Sequence, residues 1–159
     1  MHDGLEYSVS YPSSLFIATV MALPTQQTAL AVLSKLGPWG LITVDVDQPA
    51  PGEILVRSES AALNPIDWKV QAVEASSNYV SEYPAILGID GAGYVVAVGD
   101  GVTKFAVGDR VYVLTRPYSL VSWLTHPSFF LGFFTNRFGA FKQYSAVPAD
   151  VVGKVSFRI

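Results

Sequence analysis

Cysteine is absent from the 159 residues, which removes disulfides, thiolate nucleophiles and the thiolate ligands that dominate structural zinc sites. Histidine occurs only twice, and His126 stands before Pro127 with no visible orienting partner, so a loop histidine is its default reading. Positive charge is scarce. The ten Lys and Arg are scattered without a basic run and the formal net charge is −3, so there is no electrostatic footprint for nucleic acid. Long amphipathic helices are missing as well, which excludes a doubly wound sheet. The first twenty residues carry a short apolar patch at 15–20 without the positive segment that a secretory signal places before it. A cytoplasmic address fits these absences and is the expected one.

Hydrophobic residues make up 50% of the chain and charged ones 14%, a composition for a packed interior or a sticky interface rather than disorder. A chain of this length buries roughly 70% of its unfolded surface as one domain. The first strand-like pattern begins at 28. Residues 1–27 therefore read as a poorly ordered N-terminal extension, with Met21 as an alternative natural start, and 28–159 as the domain.

Two β-rich runs at 28–33 and 41–46 flank Gly37-Pro38-Trp39-Gly40, the punctuation of a hairpin turn. Pro49-Ala50-Pro51-Gly52 is a second turn. The strand 53–59 follows, placing Ile54, Val56 and Ser58 on one face and Leu55 on the other. Asn64-Pro65-Ile66-Asp67 combines a cap residue, a proline at the first helical position and an acid in the first turn, which predicts a short helix through Val70. After a polar stretch at 74–82 come a buried strand at 94–98 between glycine turns, a turn at 105–109, a strand at 110–114 and another at 141–147. Seven or so short strands with one short helix predict a mostly β fold, a small barrel or sandwich.

Gly91-Ala92-Gly93 and Gly99-Asp100-Gly101 invite a dinucleotide-loop reading, but that loop must run from a strand into a helix. Here a strand follows each pair, so turn geometry is the expectation. Asn64 to Lys69 packs an amide, a carboxylate, an indole and an ammonium into six residues; the plain reading makes Asn64 and Asp67 a helix start, Trp68 a core anchor and Lys69 a solvated end. Tyr144 alternates with Lys142 along a strand, and a polar strand face of this kind points to a site. Residues 118–134 carry no charge. With Pro127 in the middle and a length that barely reaches a membrane span, an aromatic loop lining a ligand pocket or an interface patch is the better physical reading.

Pro51-Gly52-Glu53-Ile54-Leu55-Val56, Asn64-Pro65-Ile66-Asp67, the run from Tyr83 to Gly93, Val107-Gly108-Asp109-Arg110-Val111 and Gly139-Ala140-Phe141-Lys142-Gln143-Tyr144, in this order, resemble the N-terminal domain of the medium-chain dehydrogenases/reductases. The likeness is greatest to the zinc-independent, fungal enoyl reductase and quinone oxidoreductase branch. It implies a GroES-like, partly open β-barrel with one or two short helices, which in complete members packs against a Rossmann domain absent from this sequence. Zinc-dependent members resembling this chain have a cysteine where Asn64 stands and a histidine where Ile89 stands, and neither Asn nor Ile replaces those ligands. The proton-relaying hydroxyl of those enzymes would fall at Ile66. No metal is therefore expected.

What the resemblance implies is hydride delivery from NADP(H) to an activated carbon–carbon double bond of an enoyl or quinone substrate, a carrier-bound polyketide among the candidates. Asn64, Pro65, Asp67, Trp68 and Lys69 would approach the nicotinamide, Gly139, Ala140, Phe141 and Tyr144 would wall the substrate, and Lys69 or Tyr144 would polarise its carbonyl as the catalytic group. Against the family, 116–135 looks inserted, with a translated intron as the expected origin. The chain also stops where a complete member continues, so a truncated and inactive reductase is expected. The alternative from another class is a non-catalytic GroES-like interaction module that uses the aromatic insert as its partner surface.

Overall fold

The computed structural model describes residues 22–78, 80, 82–114 and 136–155. The apolar segment at 116–135 and the first 21 residues of the extension lie outside the described residues. Eight strands and two short helices run in the order β1 (Gln26–Val32), β2 (Trp39–Asp45), β3 (Glu53–Ala61), α1 (Pro65–Ala72), α2 (Glu74–Ser77), β4 (Ala85–Ile86), β5 (Asp90–Val98), β6 (Arg110–Leu114), β7 (Tyr144–Pro148) and β8 (Val152–Lys154). They form a smaller sheet, β2-β1-β4, and a larger one, β7-β3-β5-β6-β8. All pairings are antiparallel. The mostly β expectation holds, and the sheets are not closed into a barrel. No helix among the described residues is long and apolar enough to cross a membrane.

Several local expectations need correction. The first strand starts at Gln26, two residues inside the supposed extension. Gln27 is buried, its side-chain amide donating to the Asp45 carbonyl and accepting from the Tyr144 N–H; Leu23 packs beside Val46 and Leu55. Trp39 and Gly40 belong to β2 rather than to the hairpin turn, which is shorter, with Leu36 at positive φ. A second helical turn, α2, lies in the stretch read as polar connection. Gly91 and Gly93 lie within β5, not in a turn. A Cβ at Gly93 would overlap the Arg57 carbonyl oxygen, because β3 bulges between Ser58 and Ser60 and brings its backbone close.

Burial on both faces explains why β3 reads less amphipathic than the alternation suggests. Ile54 and Val56 pack with Val95, Val111, Val113 and Val147 on one face of the larger sheet. Leu55 packs with Val46 and Ala146 on the other. Each fully buried aliphatic side chain contributes about 1.5–3 kcal/mol.

The two sheets are joined by residues 136–143. The Asn136 side chain accepts from the Ile86 N–H (2.8 Å) and donates to the Pro84 carbonyl (2.9 Å). Ala140 and Phe141 N–H donate to the carbonyls of Gly88 and Leu87, Leu30 N–H donates to the Phe141 carbonyl, and Ser58 N–H to that of Gln143. A charge cluster holds the same segment from outside. The Arg137 guanidinium donates to Asp47 Oδ1 (3.1 Å), the Gln48 carbonyl (2.8 Å) and both Glu53 carboxylate oxygens. Lys142 Nζ donates to Asp47 Oδ2 (3.2 Å) and to the carbonyls of Asn136 (2.7 Å) and Arg137 (2.8 Å). The Lys142 side chain is only 2% exposed. Burial pushes its pKa down, with Asp47 opposing; burial pushes Glu53 up, but the Arg137 guanidinium and the Ala50 N–H outweigh that and hold it below the usual carboxylate range.

Helix α1 begins as its sequence predicts, with Asn64 as cap and Pro65 at the first helical position. The Asp67 carboxylate reaches back to accept from the Asn64 N–H at 2.7 Å, satisfying one of the orphan donors of a helix start. Asp67 is 3% exposed. Burial pushes its pKa up, the Asn64 and Gly88 main-chain N–H groups offset part of this, and the negative charge of Asp90 adds to the rise.

Gly93→Ala should destabilise the fold by about 3 kcal/mol, the upper range for a side chain forced into a filled site, in urea unfolding; an unchanged midpoint would show that β3 and β5 can separate there. For Asp67, the folded state keeps its proton above the ordinary value of 3.8, so the native protein loses stability as pH rises from that value through the folded-state pKa. Asp67→Asn cannot titrate. Its stability relative to the native chain should therefore climb between acidic and neutral pH, and a difference that does not vary with pH would contradict a raised pKa.

Candidate functional site

The end of the β3–β5 pair delivers the residues of interest. Ala62 N–H donates to the Asp90 carbonyl at 3.0 Å, which binds the segment leaving β3 to the start of β5. Two residues on, Asn64 Nδ2 donates to Asp90 Oδ2 at 3.0 Å. The half-buried carboxamide is thus oriented by a carboxylate, with its nitrogen committed as donor. Ile89, next to Asp90, packs with Ile66, Trp39, Tyr83 and Phe141 against a buried group of Val32, Val70, Ala85 and Leu87. Asn64, Asp67, Ile89 and Asp90 therefore form one neighbourhood, polar on the helix-start side and apolar on the other.

Of the residues expected near a cofactor, Asn64 and Asp67 belong to this neighbourhood, but Asp67 is buried and spends its Oδ2 on the helix cap. Pro65 fixes the first turn. Trp68 is not the core anchor its size suggested: it is 54% exposed, because Asp67 and Val70 take the buried positions of α1. Lys69 is exposed, with Nζ 5.9 Å from the Trp68 ring centroid. The outer side of α1 therefore offers an indole face and an ammonium together.

Of the residues expected to wall a substrate, Gly139, Ala140 and Phe141 stand against the 86–88 segment. A Cβ at Gly139 would overlap the Ile86 carbonyl, and one at Gly88, which has φ 92°, would meet Phe141 Cδ1 at 2.6 Å. The Phe141 ring stacks obliquely on Trp39, centroids 6.1 Å apart. Tyr144 is placed differently. It pairs with Arg57 across β3 and β7 and packs with Leu55, Val46 and Ala146, a cluster distinct from the one that receives Val70 of α1. Its alternation with Lys142, which suggested a polar site face, has a structural cause instead: Lys142 is the buried cation of the charge cluster.

Sequence reasoning missed Asp90 as the partner of Asn64, and Asp47 and Arg137 as the partners of Lys142. A carboxylate wedged between Gly91 and the apolar 85–89 run was the available signal for Asp90. Asp47 and Lys142 lie 95 positions apart, and nothing local links them.

Comparison with known proteins bears directly on this arrangement. Residues 50–156 match the alcohol dehydrogenase GroES-like domain. A probable quinone oxidoreductase of Schizosaccharomyces pombe is 35% identical over 134 residues, covering 82% of this chain and 33% of that protein. Among solved structures, an alcohol dehydrogenase superfamily protein from Novosphingobium aromaticivorans is 37% identical with a TM-score of 0.63, covering 80% of this chain and 34% of that one. A cobalt- and zinc-bound thermostable alcohol dehydrogenase from Pyrobaculum aerophilum is 29% identical with a TM-score of 0.67, covering 84% and 42%. The chain thus spans about a third of the length of the first two relatives and 42% of the third. On the family match over residues 50–156, the sequence identity and the structural likeness, the chain belongs to the alcohol dehydrogenase GroES-like domain family of the medium-chain dehydrogenase/reductase superfamily.

Proposed function

We propose that this chain is the substrate-side part of a zinc-independent, NAD(P)H-dependent reductase acting on an activated carbon–carbon double bond of the quinone or enoyl class. The observation that carries the reading is the hydrogen bond from Asn64 Nδ2 to Asp90 Oδ2. A carboxamide whose nitrogen donates to a carboxylate offers a metal only its neutral carbonyl oxygen, a poor zinc ligand beside thiolate or imidazole, and the neighbouring Ile89 is hydrocarbon. Among the described residues no group of three or more His, Cys, Asp or Glu could hold an ion. The residues do not fit a catalytic zinc. Similarity to the fission-yeast quinone oxidoreductase supports the same branch.

For a nicotinamide cofactor the fit is partial and lies on α1. The exposed Trp68 indole and the Lys69 ammonium would meet the nicotinamide end, with Asn64 at the helix start beside them. Bound there, the cofactor would supply hydride. Gly91-Ala92-Gly93 contributes nothing to its diphosphate, because those residues lie inside a strand. Lys69 is the group assigned to polarise the substrate carbonyl, its charge favouring the developing enolate. The Phe141 and Trp39 rings, with Gly139 and Ala140, would supply the apolar wall for a flat acceptor.

NADPH titration followed by tryptophan fluorescence tests the placement. Quenching should be saturable in the native chain and largely lost in Trp68→Phe. Lys69→Met should weaken binding about tenfold, the scale of one charge-assisted contact. Quenching that survives Trp68→Phe at full amplitude, or a native chain that gives none, would refute the proposed cofactor surface.

A further inference from the structure

The charge cluster of Asp47, Arg137 and Lys142 touches none of the residues assigned to cofactor, yet it is built around the segment assigned to substrate. Lys142 Nζ has all its donors engaged, and two of them end on main-chain carbonyls, Asn136 (2.7 Å) and Arg137 (2.8 Å), of the turn that leads into Gly139. That turn has no strand ladder of its own. Its other anchors are the Asn136 carboxamide on the 84–86 segment and the Arg137 guanidinium on Asp47, Gln48 and Glu53. Among the described residues Asp47 is the carboxylate shared by both cations, one oxygen to each.

Beyond the turn there is no slack. Gly139 is pressed against the Ile86 carbonyl so closely that a methyl group would overlap it, and Phe141 fills the space above Gly88. Ser145 Oγ holds the Gly139 carbonyl at 2.9 Å. A turn that shifts therefore cannot be absorbed at Gly139, and it passes to Ala140 and Phe141. Removing Lys142 would leave two carbonyls of the turn without their donor. Removing Asp47 would leave a buried ammonium without its counter-charge.

We infer that Asp47, Arg137 and Lys142 are positioning residues for the substrate wall: from outside the site they fix where the Phe141 ring stands over Gly88, and so how closely a flat acceptor can approach. The functional half of this inference rests on the proposed reductase reading, and the structural half does not.

The test uses the full 159-residue chain with Asp47→Asn, Lys142→Met, and Asp47→Glu as the charge-restoring control. Proton NMR of the Gly88 α-protons, which lie under the Phe141 ring, reads the wall directly through their ring-current displacement. Menadione titration by fluorescence reads acceptor binding. Asp47→Asn and Lys142→Met should each lose most of the Gly88 displacement at temperatures where circular dichroism shows them folded, and weaken menadione binding about tenfold; Asp47→Glu should recover much of both. If Lys142→Met does not fold, Asp47→Asn alone decides. A lower melting temperature with the Gly88 displacement intact would mean that the cluster only stabilises, and would overturn the inference. Loss of the displacement in a protein whose native form does not bind menadione would uphold the positioning role and count instead against the quinone reading.

Discussion

The ammonium of Lys142, buried among the carbonyls of Asn136 and Arg137 and one oxygen of Asp47, is the interaction on which the architecture turns. The smaller and larger sheets share no continuous ladder; β1 meets the 141–143 segment through an isolated bridge, Ala29 to Lys142, and through hydrogen bonds from Leu30 N–H to the Phe141 carbonyl and from Thr28 N–H to Gln143 Oε1. A segment that must approach both sheets cannot be a regular strand throughout, so it leaves main-chain carbonyls without ladder partners. Burying such groups unpaired costs about 1–3 kcal/mol each. A long flexible cation with several donors is suited to satisfy two of them at once, provided its own charge is met, and Asp47 meets it. The cluster is therefore a means of ending one sheet and starting the other, with Arg137 fastening the same turn to Glu53 and the Gln48 carbonyl.

The site follows from where this junction places its neighbours. Phe141 is brought over Gly88, whose positive φ and missing side chain allow the approach. The 88–90 stretch then leads directly into β5, so Asp90 arrives opposite the segment leaving β3 and meets Asn64. Helix α1 starts at that point, buries Val70 and turns Trp68 and Lys69 outward. A single structural chain runs from the buried lysine through the aromatic wall to the helix start, and the candidate cofactor surface is its exposed end.

Much of this was legible in the sequence where the signal is local. The cap, proline and acid of Asn64-Pro65-Ile66-Asp67 specify a helix start by steric and hydrogen-bonding rules that act over four residues, and the helix is there. Turns at 49–52 and 105–109 were legible for the same reason. The misreadings concern interactions between distant parts of the chain. Gly91 and Gly93 look like turn residues until the bulge in β3 is known to press on β5. Trp68 looks like a core residue until Val70 is found in that place. Lys142 and Tyr144 look like a polar site face until Asp47 is brought beside the lysine. Family resemblance carried the fold further than periodicity alone, because it encodes such long-range pairings without revealing their physical basis.

The Asn64–Asp90 pair also bears on why the pKa of Asp67 is raised. Two carboxyl groups, Asp67 and Asp90, lie close enough for the charge of one to raise the pKa of the other. The Asn64 main-chain N–H serves Asp67, its carboxamide serves Asp90, and burial favours the uncharged form of Asp67. Asn64 thus bridges two acids. Under the proposed reading the ammonium of Lys69 on the outer face of α1 is the local cation that would favour the negative charge that develops on a substrate carbonyl as hydride arrives.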